Sequence, residues 1–393
     1  MGSPKKDQKN GRPIQFTHVH LENWRNFLHT DVELQKRVFL VGPNASGKSN
    51  FLGVFRFLHD IVSVGGGFQQ AVINNRGGVS DIRSLAARGY PDIVVMVRIG
   101  SGENNFVWEY ELHFTQDNRR RPIIRKEKVS KGGKDILLRP VEEDLKDPER
   151  LTQTYLEQVN VNREFREVAD FFSSVKYLHI IPQLVREPDR YVGREKDPYG
   201  GDFLDQIAST PEKIRKAWLS RIEAALRIAV PQLNKVELWR DDQGTLHLRG
   251  KCAHWRPQGA WQTEDQFSDG TLRLMGLLWA SFEGHGPLLL EEPELSLHPE
   301  VIRFIPQMFA RIQRRTGRQI LLSTHSTDLL RDEGIGLDEV LLLIPSSEGT
   351  EVRAAKRIRE IERLLQSGMT LADIVIPHTR PENAEQLALF GDK

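Results

Sequence analysis

The stretch Val38-Phe-Leu-Val-Gly-Pro-Asn-Ala-Ser-Gly-Lys-Ser49 decides the fold of this chain. Its first four residues are apolar and predict a buried strand, and apolar residues at helical spacing over Asn50–His59 predict a helix after it. The segment between them has the spacing Gly-x-x-x-x-Gly-Lys-Ser, which forms a phosphate-binding loop when it joins a strand to a helix. The stretch therefore predicts an α/β fold with a triphosphate site where the strand ends.

The residue types in this loop suit a nucleoside triphosphate. Gly42 and Gly47 allow backbone N–H groups to converge on phosphate oxygens at the positive end of the helix. Lys48 would reach the β- and γ-phosphates, and the Ser49 hydroxyl would hold Mg²⁺. The predicted ATP-binding residues of the loop are Gly42, Pro43, Asn44, Ala45, Ser46, Gly47, Lys48, Ser49 and Asn50.

The composition is that of an ordinary globular protein. The 393 residues carry a formal net charge of +1, so a nucleic-acid surface would have to be a local patch. The single cysteine, Cys252, excludes a disulfide framework and fits a reducing, cytoplasmic location. No run of about 18 apolar residues is present, which predicts a chain without a membrane span.

Basic residues cluster in four places. Such clusters are solvated surfaces or, where one lines a groove between subunits, contacts for the backbone of DNA. Both interpretations remain open from the charge pattern alone. The clusters are Arg119–Lys128, Lys213–Arg221, Arg311–Arg318 and Arg353–Arg363.

Alternating and periodic apolar residues predict most of the other elements. Strands are predicted at Ile14–Leu21, His29–Leu34, Asp92–Ile99, Asn105–Phe114, Arg121–Lys128 and Tyr177–Ile181, with an antiparallel meander between Asp92 and Lys128. Phe68–Ser84 is predicted as a loop, Pro140–Val175 as mainly helical, and Pro299–Arg315 as one helix. No heptad pattern persists, so we expect no long coiled-coil arms.

Two acidic residues follow another apolar run, Pro287–Leu290. Because ligands of open α/β sheets bind at the carboxyl ends of the strands, Glu291 would accept from the Mg²⁺ shell there, and Glu292 would orient and deprotonate the attacking water. His325 ends a further predicted strand, where it would hydrogen-bond the γ-phosphate. The predicted catalytic residues are Glu292, Glu291, His325 and Lys48.

A second anion site is predicted at the start of a helix. Ser268 is a suitable N-cap for the apolar helix that follows it, and the turn it begins leaves free N–H groups at the helix start. Since the Gly-rich loop already holds one triphosphate, this turn would serve a different nucleotide; a plain capped helix is the alternative. The predicted binding residues here are Ser268, Asp269, Gly270 and Thr271.

These segments, in this order, resemble an ABC-type ATPase head of the SMC/RecF-like branch. They are most similar to the stand-alone ATPases related to the OLD (overcoming lysogenisation defect) proteins. The resemblance rests on the Gly-rich loop, Phe267–Thr271, Leu288–Glu294 and Ser323–Ser326, and it covers most of residues 14 to 375. It implies an α/β P-loop head with a mixed sheet, an antiparallel β meander and an inserted helical lobe.

The resemblance also implies roles for particular residues. Ser268–Thr271 match the signature motif, which in this family caps the ATP held by the partner subunit, and Ser296–His298 match the D-loop. Arg25 and Asn26 match a segment that approaches the nucleotide. The family's metal-binding glutamine has two candidates, Gln69 and Gln70. The predicted metal ligands are Ser49, Glu291 and Gln70.

In this family two heads sandwich two ATP molecules, and hydrolysis opens them. The first hypothesis is therefore a homodimeric or larger ATPase that senses a nucleic-acid or phage state and controls a separate effector, such as a nuclease encoded nearby, in bacterial anti-phage defence. The second is a RecF-like DNA-repair or replication ATPase that is recruited to the sliding clamp through its C-terminal tail. Co-purification with a neighbouring gene product favours the first hypothesis, whereas hydrolysis stimulated by gapped or ended DNA favours the second.

The predicted domain organisation has five parts. They are a flexible tail (1–12), an ATPase lobe with the Gly-rich loop and the meander (13–135), an inserted helical and hairpin region (136–260), a second ATPase lobe with the signature, the acidic strand end, the D-loop and His325 (261–375), and a C-terminal tail (376–393). In the last part Gln386-Leu-Ala-Leu-Phe390 resembles the bacterial sliding-clamp-binding pentapeptide. The alternative is that its apolar side chains pack on their own domain.

Overall fold

The protein is seen in a computed structural model, which describes residues 13–89, 91–101, 106–187, 197–253, 260–379 and 386. The strands are β1 (Gln15–Trp24), β2 (Phe27–Glu33), β3 (Arg37–Val41), β4 (Ile93–Gly100), β5 (Phe106–Gln116), β6 (Pro122–Lys131), β7 (Lys134–Arg139), β8 (Lys176–Leu178), β9 (Leu233–Arg240), β10 (Leu246–Cys252), β11 (Ala260–Gln262), β12 (Leu288–Glu291), β13 (Ile320–Thr324), β14 (Val340–Ser346) and β15 (Gly349–Ala354).

Helices lie between and around these strands. The α-helices are α1 (Lys48–Val62), α2 (Phe68–Arg76), α3 (Val79–Ile82), α4 (Glu142–Lys146), α5 (Arg166–Ser173), α6 (Pro182–Arg186), α7 (Phe203–Ser209), α8 (Glu212–Ala229), α9 (Asp269–Phe282), α10 (Pro299–Ile302), α11 (Ile305–Thr316), α12 (Thr327–Leu330), α13 (Arg359–Gln366) and α14 (Leu371–Val375). Short 3₁₀ helices occupy Pro148–Thr152, Asn162–Glu164, Glu264–Gln266, Leu337–Glu339, Ala355–Arg357 and Ile376–Thr379.

A mixed sheet forms the centre of the fold, with the strand order β15-β14-β3-β13-β12-β8. Its strands run parallel except β15, which pairs antiparallel with β14. All five residues of β13 are buried, as expected for a parallel strand that is covered on both faces. The parallel direction brings the carboxyl ends of β3, β13 and β12 to one edge of the sheet.

The second sheet is antiparallel, with the order β2-β1-β4-β5-β6-β7. It contains the predicted meander and one strand, β7, that the sequence analysis missed. Its inner face packs on α1 through aromatic contacts, because the ring centroids of Trp24 and Phe57 are 5.2 Å apart and those of Phe57 and Phe114 are 5.6 Å apart. The predicted α/β fold class, with its mixed sheet and antiparallel meander, is confirmed.

The loop predicted at Phe68–Ser84 is wrong, since α2 and α3 lie there. Gly67 and Gly77 flank α2 with φ of 122° and 83°, a region of backbone conformation that favours glycine. Phe68, Ala71 and Val72 bury one side of this helix. Gly67 and Gly77 therefore do not mark a loop; they lie at the start and at the end of a short packed helix.

Two long helices were also predicted incorrectly. Residues 140–175 contain only α4, α5 and two 3₁₀ turns, and the helix predicted at Pro299–Arg315 divides into α10 and α11. The longest helix in the described ranges is α8, with 18 residues, so no long coiled coil is present there. Among the helices that the structure describes, none combines the length and the apolar content that a membrane crossing requires.

A buried ion cluster holds the irregular segment after β7. Arg139, Glu127 and Asp144 all have side chains with no exposed surface. Arg139 donates to Asp144 at 2.9 and 3.0 Å, to Glu127 at 3.0 Å and to two backbone carbonyls of the irregular segment at 2.8 Å. The carboxylate of Glu127 also accepts from the backbone N–H groups of Tyr155 and Leu156 and from the hydroxyl of Tyr110. The cluster therefore replaces the regular hydrogen bonds that this segment lacks.

Replacing Arg139 with Met is expected to lower the free energy of unfolding by about 3–5 kcal/mol, because it leaves the buried carboxylate of Glu127 without its cation and that of Asp144 with Arg150 alone. Urea denaturation followed by circular dichroism measures the change. Arg121→Met is the matched control, since Arg121 also pairs with two carboxylates near this sheet but is solvent-exposed, and it should have little effect. Similar losses in the two variants would contradict the role given to the cluster.

Candidate functional site

The Gly-rich loop joins β3 to α1, as predicted. Gly47 caps the helix with a φ of 93°, and a side chain at this position would collide with the amide of Asn26. A side chain at Gly42 would meet the backbone oxygen of Leu343 in β14 at 2.8 Å. The hydroxyl oxygen of Ser46 is buried without a hydrogen-bond partner in the described part of the chain. Close packing therefore requires both glycines, and the loop retains an unsatisfied polar group.

Lys48 lies folded over the loop. Its Nζ donates to the carbonyl oxygens of Gly42 at 2.9 Å and Pro43 at 3.1 Å, and it lies 3.8 Å from Oε1 of Glu292. Burial lowers the pKa of the Lys48 ammonium, and the charges of nearby carboxylates, that of Glu292 first, oppose this shift. The Lys48 ammonium group is thus held between the backbone of the loop and the carboxylate of Glu292.

Glu291 is fixed from two sides at the end of β12. The hydroxyl groups of Ser49 and Tyr177 donate to its two carboxylate oxygens, and Nδ1 of His179 lies 3.3 Å from its backbone oxygen. Burial raises the pKa of Tyr177, and the negative charge of Glu291 raises it further, so the phenol stays a donor. A serine hydroxyl beside a carboxylate is an oxygen-only donor set, which fits Mg²⁺.

Glu292 has a backbone conformation that is rare for a non-glycine residue, with a φ of 41°. Its N–H donates to Ser323 of the neighbouring strand, at 3.1 Å to the carbonyl and 3.2 Å to the hydroxyl. Its Oε1 lies 3.0 Å from Nδ1 of His325. The structure therefore brings Lys48, Glu292 and His325 together, although they are up to 277 positions apart in the numbering, from 48 to 325.

A buried carboxyl group contacts the end of β13 at this edge of the sheet. Glu294 is only 4% exposed, and its Oε1 accepts from the hydroxyl of Thr324 at 2.5 Å. Its second oxygen is buried without a partner in the described residues. Burial raises the pKa of Glu294, which favours its neutral acid form.

The turn between β1 and β2 completes one wall of the site. Its residue Arg25 has a φ of 53°. The side-chain amide of Asn26 donates to the carbonyl of Ser46 at 2.8 Å and to the hydroxyl of Thr350 at 2.7 Å, and Asn50 donates to Asn26 at 2.9 Å. The turn therefore fixes the backbone of the Gly-rich loop through the hydrogen bond that Asn26 donates to Ser46.

A cavity of about 430 Å³ lies next to Ser49 and Glu291. Arg56 is one of the residues that line this cavity. Its guanidinium carbon lies 5.0 Å from the ring centroid of Tyr177 and 5.6 Å from that of Tyr199. Arg25, Arg76 and Trp24 also line the cavity. Arginine side chains and aromatic rings beside the loop form a space suited to the remainder of a nucleotide.

The predicted signature turn lies at the start of α9. Ser268 is the N-cap, as predicted, and its hydroxyl accepts from the N–H of Thr271 at 3.2 Å. Asp269 pairs with Arg186 at 2.6 Å, and Gly270 packs against the carbonyl of Ser296, where a side chain would not fit. Ser268 is exposed, so the helix start is accessible from solvent.

Two predicted positions lie apart from these groups. Gln69 donates to the carbonyls of Pro122 and Thr152, and exposed Gln70 accepts from Asn74 of its own helix. The metal role predicted for Gln70 therefore has no support from its contacts. Of the pentapeptide at 386–390, only Gln386 lies within the described residues, and it is exposed, so this prediction stays untested.

The sequence analysis missed Tyr177, His179 and Arg56. Tyr177 lies within the short strand β8 and His179 directly follows it, and β8 pairs parallel with β12 beside Glu291. Their alternation with apolar residues in the predicted strand carries no local signal for this position, because it arises from the pairing of β8 with β12. Arg56 lay on the helix after the loop, where one basic residue among apolar ones carries no local signal.

The fold and the loop define a protein of the P-loop class. A family model described as "AAA domain, putative AbiEii toxin, Type IV TA system" matches residues 37–332. The match covers three quarters of the chain, and the protein belongs to this family. ATPases of this kind use ATP with Mg²⁺. No curated protein matches the sequence.

Solved structures with a similar fold include heads of SMC proteins. An SMC head bound to the C-terminal winged-helix domain of ScpA has a TM-score of 0.52 and 11% identity, with 86% of this chain and 97% of that chain covered. An SMC head from Pyrococcus furiosus has a TM-score of 0.49 and 11% identity, covering 90% and 100%. One from Thermotoga maritima has a TM-score of 0.42 and 13% identity, covering 86% and 98%. At these identities the likeness is one of fold.

Replacing Tyr177 with Phe is expected to lower the apparent Mg²⁺ affinity in ATP hydrolysis about tenfold, because Glu291 loses the donor that orients it. The hydrolysis rate measured across a Mg²⁺ titration gives this affinity. Tyr199→Phe is the control, since Tyr199 lines the same cavity but its hydroxyl accepts from Arg56 instead of contacting Glu291. Equal Mg²⁺ dependence in both variants would contradict the positioning role of Tyr177.

Proposed function

We propose that the protein binds ATP with Mg²⁺ at the Gly-rich loop and hydrolyses it with Glu292 as the base. One observation carries this proposal: Lys48, Ser49, Glu291, Glu292 and His325 meet at one edge of the parallel sheet. A chance Gly-rich turn would not bring an ordered carboxylate to its serine and a second one to its lysine.

Each side chain has a distinct task in this proposal. Bound Mg²⁺ would supply charge neutralisation for the phosphates, held by Ser49 and Glu291. Lys48 leaves its two loop carbonyls and donates to phosphate oxygens. Glu292 accepts a proton from the attacking water, and His325 fixes its carboxylate through the contact at 3.0 Å.

The exposed signature turn supports a head-to-head dimer. Ser268 and the N–H groups at the start of α9 form an anion site that is open to solvent. In a dimer the same turn would cap the ATP of the partner subunit, so that ATP joins the two heads and hydrolysis releases them. This arrangement is the one implied by the resemblance to SMC/RecF-like heads.

We further infer that this cycle controls a separate effector in bacterial defence, as in the OLD-related ATPases. The description of the family contains a toxin and a toxin–antitoxin system, which fits an ATPase that restrains or releases a harmful partner. A nuclease is the effector that the resemblance favours. Co-purification of the chain with a neighbouring gene product tests this part of the proposal separately from ATP hydrolysis.

The Glu292→Gln variant, saturated with ATP and Mg²⁺, is expected to form a dimer. Amidation removes the base, which should lower the hydrolysis rate about 10²–10⁴-fold and leave ATP bound between the heads. Light scattering during gel filtration measures the mass with and without nucleotide.

Two further variants make this experiment specific. Lys48→Met in the Glu292→Gln background should abolish ATP binding and the dimer together. Ser268→Arg should retain ATP binding but stay monomeric, because it blocks only the interface side of the site. A Glu292→Gln protein that binds ATP and remains monomeric would refute the dimer proposal.

A further inference from the structure

A second group of potential ligands lies on the outer face of the antiparallel sheet. The register of β1 and β2 places His20 opposite Asp31 and Glu22 opposite His29. Because side chains alternate along a strand, all four project from the same face, while Val19 and Leu21 point into the core. One ligand atom from each of His20, Glu22 and His29 lies within 4.8 Å of the others. The cluster is thus compact enough for one ion to contact all three.

Hydrogen bonds fix the ring of His20. Asp31 contacts Nε2 of His18 at 2.7 Å and Nδ1 of His20 at 3.2 Å. Nδ1 of His18 is buried without a partner in the described residues, which fits a neutral ring with its proton on Nε2. In the tautomer of His20 that carries its proton on Nδ1, Asp31 accepts from both rings. This assignment leaves the lone pair of His20 Nε2 directed outward.

That lone pair faces a carboxylate. Nε2 of His20 lies 3.3 Å from Oε1 of Glu22, and the rings of His20 and His29 are 5.2 Å apart. Two acceptors at this distance need a positive charge between or beside them. This positive charge is either a second proton on His20 or a bound cation.

We propose that His20, Glu22 and His29 bind a divalent transition-metal ion of the zinc class, with Asp31 orienting His20. Two imidazoles and one carboxylate are ligands that Zn²⁺ accepts, with one position left for solvent. A carboxylate on the far nitrogen of a ligand histidine is the usual second partner in such sites. Mg²⁺ prefers oxygen ligands, so this site is chemically distinct from the one at Ser49 and Glu291.

The position of the cluster gives the ion a structural effect. His20 and Glu22 belong to β1 and His29 to β2, so the ion would join the two strands on either side of the turn at Arg25 and Asn26. The side chains of His20 and Glu22 are 19% and 46% exposed, which leaves a path from solvent. Bound metal would hold the base of the hairpin that contacts the Gly-rich loop.

Titration of the full-length protein with Zn²⁺ and with Co²⁺, without nucleotide and in excess Mg²⁺, tests the proposal. We expect binding of a single equivalent and visible absorption from Co²⁺ with low coordination number. His29→Ala should abolish both signals, and Asp31→Asn should weaken binding on the order of 10–100-fold. His113→Ala is the matched control, since His113 pairs with Glu111 at 2.5 Å on the same sheet, outside this cluster, and it should bind like the wild type.

Amide hydrogen exchange provides a second readout that does not depend on ATP hydrolysis. Zinc should slow exchange in the hairpin of β1 and β2 in the wild type and in His113→Ala, but not in His29→Ala. Circular dichroism checks that each variant is folded. Binding that is absent from the wild type, or equal in the wild type and His29→Ala, would overturn the proposal and leave the protonated His20–Glu22 pair as the explanation.

Discussion

The parallel pairing of β3, β13 and β12 is the constraint on which the site depends. Val41 pairs with Thr324, and Ser323 pairs with Glu291, so all three strands end at the same level. A shift of one strand by a single residue would turn its polar end to the opposite face of the sheet. Apolar burial along these strands, rather than any contact between the functional groups, therefore sets the distances around the Gly-rich loop.

The parallel pairing of these strands also stabilises strained backbone conformations near the site. Of the six non-glycine residues with positive φ in the described chain, five lie near the site: Asn23 close to the end of β1, and Arg25, Ala45, Glu292 and Ser296 in turns. Each such conformation costs on the order of 1–3 kcal/mol and persists only where the surrounding structure determines it. At the opposite end of β13, Gln319 contributes by bonding the backbone of Phe16 and of Gln35, which joins the two sheets. A rigid frame thus holds strained turns where nucleotide would bind.

The sequence predicts the parts of this site whose signal is local. The Gly-rich loop, the acidic end of β12 and the N-cap Ser268 each combine a residue pattern with an adjacent strand or helix. Tyr177 could not be found in this way, because its role arises from the pairing of β8 with β12, which joins segments more than 100 residues apart. The helix α2 was missed for a similar reason, since burial of Phe68 outweighs its two flanking glycines. Gln70 was selected by resemblance alone, and its own contacts lie elsewhere.

In the proposed dimer, the Gly-rich loop of one subunit and the signature turn of the other form one ATP site. Asn44 and Ser268 are both exposed, and Cys252 is the single native cysteine. A protein carrying Asn44→Cys, Ser268→Cys and Cys252→Ser, in the Glu292→Gln background, therefore allows crosslinking with a short bis-maleimide. A covalent dimer that forms with ATP and Mg²⁺, and not without nucleotide, is the predicted result. A protein that binds ATP yet gives no crosslinked dimer would contradict the account.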